Sequence, residues 1–347
     1  MSEMRAIKGL VLGSVAVLVG AVAVIMIQVA KGPGGLRVPE GGMVAVVPEG
    51  AVCLLHLDVG DILDTPLAQG MAKDPEGQAK LAEARDQVHS VDAFVLTPQA
   101  GSEAGDRPAL CGVVRVGAET YKEFHDLMAK EGKRLTIGNA SAYRVPMPRQ
   151  SSLGLNVPGS AALFMAPAGT NTVAFATTRR GFEALAGGLA GSSSAGSQSL
   201  GEMATTAGSA PFWVAIDGQT AIAAAGERAA QMPDFLKDTR AALVSVAVDE
   251  DVEVSGLLRL ASTQAAAKAL AAAQAGLDQA KAQIEQGTAP EGVPVAAAAV
   301  VLNRTSLSAS GSDVNATVVL TGEELGQMVG AVLMGALAAG MQAQPSP

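Results

Sequence analysis

Cys53, His56 and Asp58 bring a thiol, an imidazole and a carboxylate within six residues, the set from which a thiol hydrolase takes its nucleophile, base and orienter. Their surroundings, Ala51 to Val59 (AVCLLHLDV), read as a strand, and a strand alternates its side chains between two faces. Cys53 then points away from His56 and Asp58, so the spacing argues against a triad. His89 and His125 have no second histidine or cysteine three or four residues away, whereas a metal site needs three or four donors in one place. Gly32 to Gly35 and Gly187-Gly188 lack the strand-to-helix setting of a phosphate-binding loop. No catalytic residue, cofactor site or metal site is assigned.

Cys53 and Cys111 are the only cysteines, and both fall in expected strands. Two readings stay open: a disulfide stabilising the fold by about 4 kcal/mol in an oxidising compartment, or two buried free thiols packed as small apolar groups. Asn139, Asn303 and Asn315 open glycosylation-type triplets too short to carry an argument.

Gly9 to Ala30 governs how the rest is read, since these residues hold no charged side chain. As a helix they would span roughly 33 Å, enough for the ~30 Å hydrocarbon layer of a bilayer. A cleaved secretory signal usually has a shorter apolar run, and this one continues past Ala21-Val22-Ala23 through Ile27. A retained anchor is the expectation, with residues 1–8 as a short cytoplasmic tail. Arg5 and Lys8 before the span nearly balance Lys31 and Arg37 after it. The free amino terminus and the shortness of the leading tail tip the body outward.

The net charge of −9 argues against a nucleic-acid partner, and 3% aromatic residues leave little material for stacking platforms. With 49% hydrophobic residues the chain can build a substantial core.

Residues 31–50 are rich in glycine and proline and read as a spacer. A first α+β unit is expected over 51–190, a Ser/Gly-rich connection over 191–209, a second unit over 210–341 and a tail over 342–347. The first unit reads as a strand at 51–59, helices through 67–88, strands at 90–96 and 108–116, a helix at 118–131, four short strands and a helix at 180–190. The second returns to the same order: a strand at 211–217, a helix at 220–231, strands at 240–248 and 252–260, a helix at 262–286, then strands at 297–310 and 314–320. VCLLHLDVGDIL (52–63) and PFWVAIDGQTAI (211–222) share an apolar strand ending in Asp before a helix. The expected fold is therefore α+β, an N-terminal transmembrane helix followed by two related units of mostly antiparallel sheet with helices on one face.

Two helices have further patterns. From Ala266, steps of four and three through Leu270, Ala273, Leu277, Ala280 and Ile284 make a narrow stripe suited to packing on the protein's own sheet. Thr321-x-x-Glu324 is a capping signal for a last helix, whose uncharged stretch from Leu325 to Met341 suits a buried helix better than a second span.

An apolar anchor, a Pro/Gly spacer, the strand LLHLDV leading to a helix, two similar halves and the closing Thr321-Gly-Glu-Glu-Leu325 resemble uncharacterised bacterial single-pass membrane-anchored extracytoplasmic proteins with a two-repeat α+β body. The resemblance is one of pattern across most of the chain. It implies the inner (cytoplasmic) membrane, with the body in the periplasm or outside the cell, and it implies no reaction. The expected role is a non-catalytic binding or envelope-associated module, tied to lipid through Gly9 to Ala30, with an envelope protein or a hydrophobic ligand as partner. The alternatives are a periplasmic hydrolase whose site is assembled from distant residues, and a carrier of a hydrophobic ligand.

Overall fold

A computed structural model describes residues 46–48, 50–71, 75–97, 108–137, 140–146, 162–190, 198–226, 229, 232, 234–288 and 295–324. The chain divides into two compact units, one formed by Met1–Gly50 with Ala82–Gly196, the other by Ala51–Leu81 with Ser197–Pro347.

In the first unit the strands β2 (Val88–Leu96), β3 (Ala109–Val116), β4 (Lys133–Ile137), β5 (Ala140–Pro146), β6 (Ala162–Pro167) and β7 (Thr172–Ala176) run in the order β2-β3-β7-β6-β5-β4. Every pairing among them is antiparallel. Two amphipathic helices accompany this sheet. Helix α4 (Ala118–Glu131) buries Phe124 and Met128, one turn apart. Helix α5 (Arg179–Leu189) starts at the Thr178 cap and buries Phe182, Leu185 and Leu189. With Phe94, Phe175, Met165 and Ile137 these form the core of the unit, each large side chain contributing about 1.5–3 kcal/mol through removal from water.

The second unit holds β1 (Ala51–Asp58), β8 (Phe212–Asp217), β9 (Thr239–Val248), β10 (Asp251–Leu260), β11 (Thr305–Ser310) and β12 (Asp313–Thr321), in the order β11-β12-β10-β9-β8-β1. All of these pairings are antiparallel too. Helices α1 (Val59–Leu63) and α2 (Pro66–Met71) follow β1, and α3 (Pro75–Gln87) begins in this unit and ends in the first. The others are α6 (Gln198–Ala207), α7 (Gly218–Ala225), α8 (Asp234–Lys237), α9 (Thr263–Glu285) and α10 (Val295–Arg304).

The expected fold class is corrected on two counts. One sheet for each half, 51–190 and 210–341, is not what the chain builds. Strand β1 pairs with β8 through Cys53↔Ile216, Leu55↔Val214 and Leu57↔Phe212, so strands of both expected halves lie in one antiparallel sheet. Both strands are rich in apolar residues, but hydrophobic content does not name a strand's neighbour. Nor are the helices confined to one face. Leu258, Leu260 and Val314 pack with Ala265, Ala266 and Ala269 of α9. Arg259, pointing the other way by strand alternation, pairs with Glu202 of α6. The expected transmembrane helix at 9–30 lies outside the described residues, and no described helix is long and apolar enough to cross a membrane.

Smaller differences have local causes. Residues 295–304 form α10 instead of the first part of a strand, since VAAAAVVLNR is an apolar run that suits either state. The stretch 191–209 includes α6, which buries Leu200, Met203 and Ala204. The helices expected through 67–88 are found as α2 and α3, while Val88 opens β2 and His89 sits in that strand, not beside a helix. The α9 stripe is buried at Ala266 and half-buried at Leu270, Leu277, Ala280 and Ile284, while Ala273 is exposed. The capping box at the close of β12 is formed: the Glu324 carboxylate accepts from the Thr321 amide at 3.0 Å, and Thr321 Oγ1 accepts from the Glu324 amide at 3.2 Å. The loop at 147–160, the turn at 101–106 and the last helix beyond 324 lie outside the described residues.

Candidate functional site

The first unit carries a cavity of about 350 Å³ where β2, β3 and the start of α5 meet. Its floor is the cross-strand pair Leu96↔Ala109. Thr97, Thr178, Arg179, Arg180 and Glu183 supply the polar wall. The strand-to-helix corner that positions them is pinned by Thr177, whose amide donates to Leu110 O at 2.9 Å and whose Oγ1 accepts from the Leu110 amide at 3.0 Å. Thr178 Oγ1 then accepts from the Gly181 amide at 3.0 Å and fixes the first turn of α5. Gly181 is required by contact, since a Cβ there would collide with Cys111 Sγ and lie 2.9 Å from Ala109 Cβ. Having only hydrogen at that point lets the end of the helix lie directly on β3.

Arg179 is exposed and ion-paired with Glu183 at 3.1 Å, one turn along the helix. Arg180 is half-buried and has no ion-pair partner among the described residues. Two cations in the first turn of a helix stand against its dipole, whose amino-terminal end favours negative charge. An anion in the cavity would relieve that repulsion and meet the Arg180 guanidinium and the helix-start amides that lack an intrahelical acceptor, while the Thr97 hydroxyl in the same wall donates to Gly50 O at 3.4 Å.

The residues singled out by sequence do not converge. Cys53 pairs with Ile216 and His56 with Trp213, which puts the thiol and the ring on opposite faces of β1. The His56 ring stacks on Trp213 with centroids 5.4 Å apart and planes at 25°. Asp58 caps α1, accepting from the Asp61 amide at 2.9 Å. Both cysteines are buried free thiols. Burial pushes the Cys53 thiol up to about 12 and raises that of Cys111 as well, so neither supplies thiolate near neutral pH. His125 is exposed on α4, and no group of three His, Cys, Asp or Glu able to hold a metal occurs among the described residues.

Asp217 is buried and joins Ser199 Oγ to the Thr220 amide, 2.7 Å from its Oδ1. It caps α7 and ties α6 to β8.

Compared with known proteins, the chain matches no family model, no curated protein and no solved structure. Arg180 and Thr97 are the site residues that sequence reasoning missed. They stand far apart in the chain and meet only through the pairing of β2, β3 and β7. One signal was present: Arg179-Arg180 at the start of an expected helix is a charge placement that helices disfavour.

Proposed function

We propose that the protein is a non-catalytic binding module, held at a bacterial cytoplasmic membrane by residues 9–30 with its body on the outer side, and that it takes a small organic anion into the first-unit cavity. Arg180, half-buried in the wall of that cavity and without an ion-pair partner among the described residues, is the observation that carries the reading. The volume stands at the small end of ligand pockets, which suits a compact carboxylate or phosphate ester better than a lipid tail. Arg179, neutralised by Glu183, leaves the wall with one net positive charge.

Membrane attachment and orientation rest on the uncharged stretch from Gly9 to Ala30 and on the resemblance in pattern described above. The test is purification of the full chain in mild detergent, mass spectrometry of co-purifying small molecules, and calorimetric titration with citrate and with inorganic phosphate. Saturable binding of either anion supports the reading. Absence of any bound anion together with flat titrations removes it.

A further inference from the structure

Strand β11 ends the sheet of the second unit, and β12 is the only described strand that pairs with it. Sheet edges are usually blunted by charge or proline, because their free amides and carbonyls can recruit another strand. The edge strand of the first unit follows that rule, opening with the exposed Lys133 and Arg134. Strand β11, Thr-Ser-Leu-Ser-Ala-Ser, has neither charge nor proline, and Ser306, Ser308, Ala309 and Ser310 are exposed.

The hairpin defines which backbone groups are free. Gly311, at φ 60°, and Ser312 form a two-residue turn closed by the pair Ser310↔Asp313. In such a hairpin the closing pair exchanges both backbone hydrogen bonds, and the bonded pairs then alternate. Ser310, Ser308 and Ser306 therefore spend their amides and carbonyls on β12, while those of Ala309, Leu307 and Thr305 point outward.

We infer that this free edge pairs antiparallel with β11 of a second copy of the chain, centred on Leu307. In that register Leu307 lies opposite Leu307 of the copy, Thr305 opposite Ala309 and Ser306 opposite Ser308. All outward groups are used, giving about six backbone hydrogen bonds. Ser306 meets Ser308 on one face, and on the other Leu307 meets Leu307 where it already adjoins Ala316, with the Thr305 hydroxyl donated to Val301 O of its own chain. Charge selects the same occupant. A chain of net charge −9 repels its own copy, and the neutral strand is a place where the two can meet without placing like charges opposite each other. The flanking charges are already matched, Arg304 by Glu324 and Asp313 by Arg259. One strand pair buries less than the ~1,200 Å² of a standard stable interface, so the association is weak and concentration-dependent.

The test uses the full chain in detergent, with Ser306→Cys and Ser308→Cys made as separate proteins and oxidised alone and mixed. The register predicts that the mixture forms disulfide dimers at least fivefold faster than either protein alone, because position 306 of one copy lies opposite position 308 of the other and never opposite itself. Ser308→Lys should abolish concentration-dependent dimers in sedimentation, and Ser308→Thr should retain them. Equal cross-linking of the mixture and the separate proteins, dimers that persist in Ser308→Lys, or a monomer at several hundred micromolar would each overturn the inference.

Discussion

Asp58 and Asp217 occupy matching positions, each at the end of a strand and each capping the next helix, yet their surroundings differ enough to predict different costs for the same substitution. Asp58 caps through one exposed contact, from the Asp61 amide at 2.9 Å. Its replacement by Ala should cost about 1 kcal/mol or less, the ordinary value of a cap. Asp217 is 8% exposed and holds both the Thr220 amide and the Ser199 hydroxyl. Asp217→Ala loses the cap, about 1 kcal/mol, and a part-buried charge-assisted bond of about 1.5–3 kcal/mol, for roughly 3 kcal/mol in all. At about 2–4 °C per kcal/mol, Tm should fall by roughly 6–12 °C. Trp213, the single tryptophan, is buried in β8, the strand that ends at Asp217, and makes denaturant unfolding of the second unit readable by fluorescence. A double-mutant cycle with Ser199→Ala should give a coupling of about 1 kcal/mol or more. Equal costs for Asp58→Ala and Asp217→Ala, or no coupling to Ser199, would refute the reasoning.

Three other outcomes follow from the geometry. A Cβ on Gly112 would collide with Asp92 O and lie 2.7 Å from Ala93 Cα, both backbone atoms, whereas one on Gly256 would sit 3.8 Å from its nearest neighbour. Gly112→Ala should destabilise the first unit by about 3 kcal/mol and Gly256→Ala should be neutral, as measured by thermal denaturation followed by circular dichroism. The Glu324 carboxyl is held below its ordinary 4.5 by the Thr321 amide and then by Arg304. Its folded-state value is depressed, so the stabilisation is complete above pH 4.5 and is lost as pH falls through the lowered value; Glu324→Gln should remove that part of the acid dependence in pH-stepped unfolding. Cys53 and Cys111, buried and poorly ionised, should stay unlabelled by a thiol reagent at about pH 8 until denaturant is added, and then both should react.

Much of the local structure was legible in the sequence, and the long-range partnership of strands was not. Helix α4 and strand β7 begin and end where periodicity puts them, because Phe124 and Met128 mark one helical face and TVAFA is a short apolar run closed by threonines. The Thr321 capping box was readable because it is made within four residues, and so was the Asp that closes β1 and β8 before a helix, though its part as the cap was not. Strand β1 was readable as a strand, but its pairing with β8 depends on a match of surfaces far apart in the chain, Cys53 against Ile216, which no local pattern encodes. Apolar content misled at α10, where alanines and valines allow both states. The cavity was invisible for the same reason as the β1 partnership. Thr97 and Arg180 are ordinary surface residues until β3 brings β2 and α5 together.

The central claim is that Arg180 anchors a small anion in the first-unit cavity. Calorimetric titration of the full chain with citrate and with phosphate, repeated on Arg180→Gln and on the control Arg85→Gln, tests it most directly. The account predicts saturable binding to the wild-type chain and to Arg85→Gln, weakened at least tenfold in Arg180→Gln with the unfolding midpoint unchanged. Equal affinity in all three proteins, or no binding to any, would contradict it.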